Sequence, residues 1–176
     1  MAVNETQLML QVVDGDRRAF AQLVALHLHP IEAFATRMLA DATEAQDVTQ
    51  EVMLRLWQRA AVFDPRRARL STWLHQIAYN LCIDRLRKTR RLSSWNETLD
   101  ETPAPPVDST AEQRTKAVSL ALSRLPERQR SALLLTYYQA LTNREVAHIM
   151  GVSIRALESI LVRSRTALKQ ALEGEI

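Results

Sequence analysis

Between Asn143 and Val162 the spacing of side chains admits very few folds. Val146, Met150, Val152, Leu157 and Ile160 fall where two crossing helices must bury apolar groups. Ala147 sits where the crossing is closest, and only a small residue fits there. Gly151 occupies the turn, where a positive φ is needed and a Cβ is costly. Thr142 and Glu145 make a Thr-x-x-Glu capping box for the first helix, and Ser153 can N-cap the second. These features together describe a helix-turn-helix. Its second helix turns Arg155, Glu158, Ser159, Arg163 and Arg165 outward, side chains able to reach base edges and phosphates in a major groove. A tight corner in an ordinary α-bundle would share the glycine and the apolar spacing, but not both caps and every position at once.

The remaining composition favours helices throughout. Apolar residues make up 47% of the 176, glycine is scarce and aromatics are few. The expected fold is all-α. Cys82 stands alone, so no internal disulfide forms, and a reducing cytoplasm is the expected location. No apolar run approaches the length of a membrane span, so no membrane insertion is expected.

The net charge of +3 conceals a segregation. Residues 1–95 carry 13 basic and 10 acidic side chains, residues 96–111 none and four, and residues 112–176 ten and six. Two basic pieces are thus joined by an acidic one. Positions 63–91 hold Arg66, Arg67, Arg69, Arg85, Arg87, Lys88, Arg90 and Arg91 against only Asp64 and Asp84, a footprint suited to a polyanion. Charge clusters are more often merely solvated helix faces, so this signal needs support.

Residues 93–110 (SSWNETLDETPAPPVDST) break all periodicity, and Pro103, Pro105 and Pro106 withhold helix donors. The organisation expected is two small helical domains, 1–92 and 111–176, joined by an extended linker at 93–110. In the first domain a short helix from Glu5 to Val13 stops at Asp14-Gly15, and Asp16 caps the next. Pro30 is expected to break or restart that helix before Ile31. Thr43 and Gln46 fit a capping box for a helix through about Arg59. On it Val48, Val52 and Leu56 form an apolar line, and Asp47, Gln50, Glu51 and Leu54 a second, mostly polar stripe. Leu70, Trp73, Leu74, Ile77, Ala78 and Leu81 then hold a helical stripe for three turns. Past the linker, Ala111–Ser123 and Pro126–Tyr138 read as two helices ahead of the helix-turn-helix, whose last helix runs to about Leu172.

Three segments in this order resemble the extracytoplasmic-function (ECF) sigma factors of the sigma-70 family. They are Asp47–Trp57 (DVTQEVMLRLW), Ser71–Lys88 (STWLHQIAYNLCIDRLRK), and Leu125–Leu172, where Leu125-Pro126-Glu127-Arg128 leads into Tyr137-Tyr138 and the helix-turn-helix. The resemblance implies a division of labour. The first domain, sigma region 2, docks on core RNA polymerase and opens the promoter at the −10 element; the second, sigma region 4, holds the −35 element. It also implies control by an anti-sigma factor, and a chain that is monomeric when free of partners.

The resemblance assigns residues as well. Asp47, Gln50, Glu51 and Leu54 look like the polymerase-docking stripe, a small apolar centre among hydrogen-bonding groups. By themselves they would read as a polar outer face. The loop 63–70 precedes the helix that faces the opened strand in the family. There Phe63 would stack on a melted base, and Arg66, Arg67 and Arg69 would follow the phosphates. On the face opposite the apolar stripe lie Thr72, Gln76, Tyr79, Asn80 and Arg87, with Asn80 the choice for a polar −10 contact and Trp73 left to core packing. For the −35 groove the expected readers are Ser153, Arg155, Glu158, Ser159 and Arg163. Arg can grip guanine, and Glu can accept from cytosine N4. Arg144, Arg165 and Lys169 would position the duplex by its phosphates.

No enzyme site is expected. Cys82, His75 and Asp84 lie on one helix without the i, i+3 or i+4 spacing of a nucleophile and its base. His27 and His29 point to different faces without partner cysteines, so neither a metal nor a cofactor is expected. Two rivals remain: a free-standing regulator that dimerises through its first domain, and an adaptor that inhibits polymerase. The regulator leaves the basic 63–91 segment unexplained, and the adaptor leaves two basic domains idle.

Overall fold

The computed structural model describes residues 4–93 and 110–173. Among these residues the chain is helical and contains no strand. The linker expected at 93–110 lies outside them, save that its ends are helical: α4 runs to Ser93, and α5 starts at Thr110.

Helix α1 (Glu5–Val13) begins at Asn4, whose side chain accepts from the Gln7 amide. It stops at Asp14, and Gly15 follows with φ +85°. Asp16 caps α2 (Arg17–Leu39), accepting from the amides of Arg18 and Ala19 at 2.7 and 3.2 Å. The break expected at Pro30 is absent, and α2 runs through it. Pro30 has no N–H to donate to the carbonyl of Leu26, a residue on the exposed side of the helix. Meanwhile Leu23, His27, Ile31, Phe34 and Met38 bury one uninterrupted stripe. Burial of that stripe outweighs one lost hydrogen bond.

Helix α2 ends on Ala40 in the left-handed region (φ 54°), which swings the chain so that Asp41 is extended. An N-cap needs that extended backbone. Asp41 therefore caps α3 (Ala42–Gln58), accepting from the Glu44 amide at 3.0 Å, and the Thr43–Gln46 box does not form. A short 3-10 turn (Ala60–Val62) and an irregular loop lead into α4 (Leu70–Ser93). Ala45, Val48, Val52 and Leu56 of α3 meet Leu70, Leu74, Ala78 and Cys82 of α4 around Phe34 and Leu23. The buried line of α4 is thus rotated from the one expected. Trp73, Ile77 and Leu81 are only partly buried, while Thr72, His75 and Tyr79 are buried.

In the second half α5 (Thr110–Ser123) is followed by α6 (Glu127–Leu133), with Pro126 at its N-cap. The single helix expected through Tyr138 instead widens into a π turn at Leu134–Tyr138, where the Gln139 amide donates to the Leu134 carbonyl. Ala140 (φ 50°) then redirects the chain. Helices α7 (Asn143–Met150) and α8 (Ile154–Glu173) form the helix-turn-helix.

The two halves do not stand apart. One apolar core runs through both, because α5, α6 and the π turn pack on α2, and α7 packs on α4. Arg130 is buried and donates to the Met38 carbonyl at 2.8 Å, satisfying the C-terminal end of α2. Arg37 lies over the Tyr138 ring at 4.7 Å, and Arg90 pairs with Glu127. This packing explains the rotated stripe: Thr72 and Tyr79, expected on an open polar face, are covered.

Candidate nucleic-acid interface

The helix-turn-helix is built as its residues dictate. Thr142 Oγ1 accepts from the Glu145 amide, and the Glu145 carboxylate accepts from the Thr142 amide at 2.9 Å, closing the capping box. Val146 and Ala147 are buried at the crossing. Gly151 (φ 64°) lets the Val152 amide reach the Ala147 carbonyl at 3.0 Å and the Gly151 amide reach that of His148. Ser153 Oγ then accepts from the Ala156 amide at 3.1 Å and starts α8. Leu157 and Leu161 face inward, and Ile160 and Val152 are partly buried.

What remains on the outside of α8 is the candidate surface. Ser153, Arg155, Glu158, Ser159, Arg163, Arg165 and Lys169 are all exposed, as is Arg144 on α7. Arg163 Nε donates to the Ser159 carbonyl at 3.2 Å, Arg165 reaches the Tyr137 hydroxyl at 3.4 Å, and Lys169 pairs with Glu173 at 3.6 Å. These are surface contacts that a nucleic acid can displace. Ser159 and Arg163 also border a groove of about 540 Å³ between α6 and α8, with Arg128 and Gln129 on its other wall. Arg128 escaped sequence reasoning because nothing in its spacing places α6 beside α8.

The loop 63–70 keeps its cations outward. Arg66, Arg67 and Arg69 are exposed, and Arg66 is turned back onto Asp64 at 3.1 Å. That neighbour, through its hydrogen bond first, holds the Asp64 carboxyl below its usual range. Phe63 is not a free platform. It is half-buried and tilted against Trp73 with ring centroids 5.5 Å apart, beside Met9, Leu10 and Val13 of α1. Trp73 thus packs as expected, but against Phe63.

The −10 candidates on α4 divide. Asn80 and Arg87 are exposed and Gln76 is partly so, whereas Tyr79 is buried and its phenol is pushed up by that burial. Tyr79 therefore serves the contact between the two halves. Thr72 has the same fate: its hydroxyl donates to Glu145 at 2.8 Å.

On the far side of α3, Asp47, Gln50 and Leu54 are exposed and Glu51 is partly so, with Leu54 47% exposed. They line a shallow groove of about 490 Å³ completed by Leu81 and Arg85 of α4. Arg85 pairs with Glu44 and lies 3.9 Å from Asp47, and Arg55 holds Glu51 at 2.7 Å. Leu81 was expected in the core and Arg85 in the polyanion footprint. The crossing of α3 and α4 places Arg85, and the partly buried Leu81 that still packs against the core, beside the stripe of Asp47, Gln50, Glu51 and Leu54.

Elsewhere, burial pushes the Cys82 thiol up to about 12, so it carries no thiolate near neutral pH. His27 is hydrogen-bonded to Glu5 at 3.1 Å, and His75 Nδ1 donates to the Ser71 carbonyl at 2.7 Å. Among the described residues no group of three metal-capable side chains converges. No helix there is long and apolar enough to cross a membrane.

Known families match both halves. Sigma-70 region 2 matches residues 23–92, and Sigma-70, region 4 matches residues 115–168. The chain is 32% identical over 170 residues to the ECF RNA polymerase sigma factor SigM of Mycobacterium tuberculosis, covering 96% of this chain and 85% of that protein. It is 31% identical over 159 residues to the ECF RNA polymerase sigma factor RpoE of Cereibacter sphaeroides, covering 88% and 87%. Among solved structures it is similar to CnrH in complex with the cytosolic domain of CnrY, at 26% identity and a TM-score of 0.76 over 98% of this chain and 99% of that one. It also shares the fold of the sigma factor RpoE of Bartonella quintana, solved with the anti-sigma factor NepR (24% identity, TM-score 0.75, 88% and 96% covered).

Proposed function

The chain belongs to the ECF sigma factors, which bind core RNA polymerase and direct it to promoters, and from that premise we propose how its residues divide the work. Residues 1–92 act as region 2 and residues 111–176 as region 4, with 93–110 as the connection. Asp47, Gln50, Glu51 and Leu54 dock on the polymerase, joined by Leu81 and Arg85. The loop arginines Arg66, Arg67 and Arg69, with Gln76, Asn80 and Arg87, engage the −10 strand; Phe63 acts there by shaping the loop against Trp73. Arg155, Glu158, Ser159 and Arg163 read the −35 groove, while Arg144, Arg165 and Lys169 hold phosphates.

The observation that carries this reading is the outer face of α8, where every reader expected from the motif is exposed and held only by surface contacts. The chain performs no chemistry of its own in this reading. It works in the cytoplasm beside the polymerase and answers to an anti-sigma factor, as the shared fold with the NepR-bound protein supports. Gel filtration and run-off transcription with core polymerase test it. A one-to-one complex and transcripts from a defined start are expected. A dimer that binds duplex tightly alone, or a fall in transcription, would replace it with the regulator or the adaptor.

A further inference from the structure

The Glu145 carboxylate does more than cap α7. One oxygen serves the cap, accepting from the Thr142 amide and hydroxyl at 2.9 and 2.7 Å. The other faces the opposite half of the molecule, accepting from Thr72 Oγ1 at 2.8 Å and lying 3.3 Å from Arg69 Nε. The Glu145 side chain is only 14% exposed, whereas Arg69 is 72% exposed. Around the pair is a cleft of about 500 Å³ lined by Arg67, Arg69, Arg144 and His148, a basic site with a carboxylate at its centre. An anionic oxygen accepting from an arginine and a hydroxyl is the arrangement a DNA phosphate makes.

We propose that Glu145 is an intramolecular latch that occupies Arg69 and Thr72 in place of a promoter phosphate, holding the chain in a closed form that must open before both promoter elements are bound. The proposal rests on the assignment of the 63–70 loop to −10 DNA. Geometry supplies the second argument. The two elements lie about 25 base pairs apart by their names, roughly 85 Å of duplex at 3.4 Å per base pair. In the closed chain the loop and the helix-turn-helix touch. Residues 94–109, fully extended, span on the order of 55 Å, which with the two domains reaches that separation only when α7 has left α4. The cost of opening is paid once, by polymerase and promoter together. Until then the apparent affinity of the loop for a strand is reduced by the open fraction.

The test uses the full chain and the variant Glu145→Gln, since glutamine at this helix position keeps the capping box and removes the charge. Small-angle scattering should show a larger radius of gyration, and amide exchange should quicken at residues 66–72 while α8 stays protected. A pool of random single-stranded 12-mers should bind about two- to fivefold more tightly, the range expected when a partly exposed charged pair is removed from a two-state equilibrium. Arg130→Gln, which loosens the same packing from the Met38 side, is the companion variant. Should Arg130→Gln expand the chain while Glu145→Gln leaves size and exchange unchanged, Glu145 is not the latch. Unchanged size in both variants likewise overturns the proposal. Expansion without tighter strand binding would mean that the closed form hides no DNA site, so the loop assignment would fail and the occlusion with it.

Discussion

At the scale of single residues, the two ends of the α8 face should behave differently. Glu158 and Arg163 are exposed and aimed at base edges in the proposed reading, so Glu158→Ala or Arg163→Ala should cost about 1–3 kcal/mol on the preferred −35 sequence and relax one base position. Lys169→Ala should weaken all sequences alike. Selection from randomised −35 sites reads this directly, and an identical motif from wild type and both variants would refute the assignment. Cys82 offers a second residue-level expectation. Its thiol is buried and held up at about 12, so a disulfide reagent at pH 8 should label the native chain at the rate of unfolding. Labelling as fast as a free thiol in the absence of denaturant would contradict the packing.

At the scale of elements, α3 presents two unlike stripes, and only one is structural. Val48, Val52 and Leu56 are fully buried, while Asp47, Gln50 and Leu54 face out. Charge reversal at Asp47 or Leu54→Ala should therefore weaken binding to core polymerase with little change in the thermal melt. Wild-type pull-down by these variants would leave the stripe without a role. Between α4 and its preceding loop, Phe63 and Asn80 should separate by mechanism. Phe63→Ala removes the contact with Trp73, so it should lower stability by roughly 1–3 kcal/mol and slow promoter opening through a misplaced loop. Asn80→Ala is exposed and should slow opening without a stability change. Permanganate reactivity of thymines near the start site, with melts of the free chain, distinguishes them.

At the scale of the whole molecule, the contact between the halves should respond to acid. Burial alone would raise the Glu145 carboxyl, but hydrogen bonds from Thr142 and Thr72 and the charge of Arg69 outweigh it and hold it below its usual 4.5. A depressed folded-state value stabilises above the unfolded value and is lost as pH falls through the folded one. The closed form should thus be fully held above about pH 4.5 and loosen below it. The guanidinium groups of Arg67, Arg69 and Arg144 line the same cleft and repel one another once the carboxylate is neutral. Scattering across pH 3 to 6 would register the expansion, and Glu145→Gln should be expanded at every pH. An equal acid transition in that variant would assign it to other carboxylates.

Much of this molecule could be read from the chain alone, and the reason is locality. The helix-turn-helix, the caps at Asp16, Thr142 and Ser153, and the glycine at 151 depend on neighbours within four residues, where backbone geometry leaves little choice. The family was legible for the same reason, its motifs being continuous stretches. The errors share the opposite cause. Pro30 was overruled by a stripe whose burial depends on α3 and α4. Thr43 lost the cap to Asp41 because the left-handed turn at Ala40 set which residue is extended. Leu81 and Arg85 came to line the groove beside Asp47 and Leu54, and Thr72 and Tyr79 became buried, because helices far apart in sequence cross there. Periodicity tells which residues share a face of one helix. Which neighbour covers that face is a property of the packing between helices, and here it decided that Arg69 meets a carboxylate of its own chain.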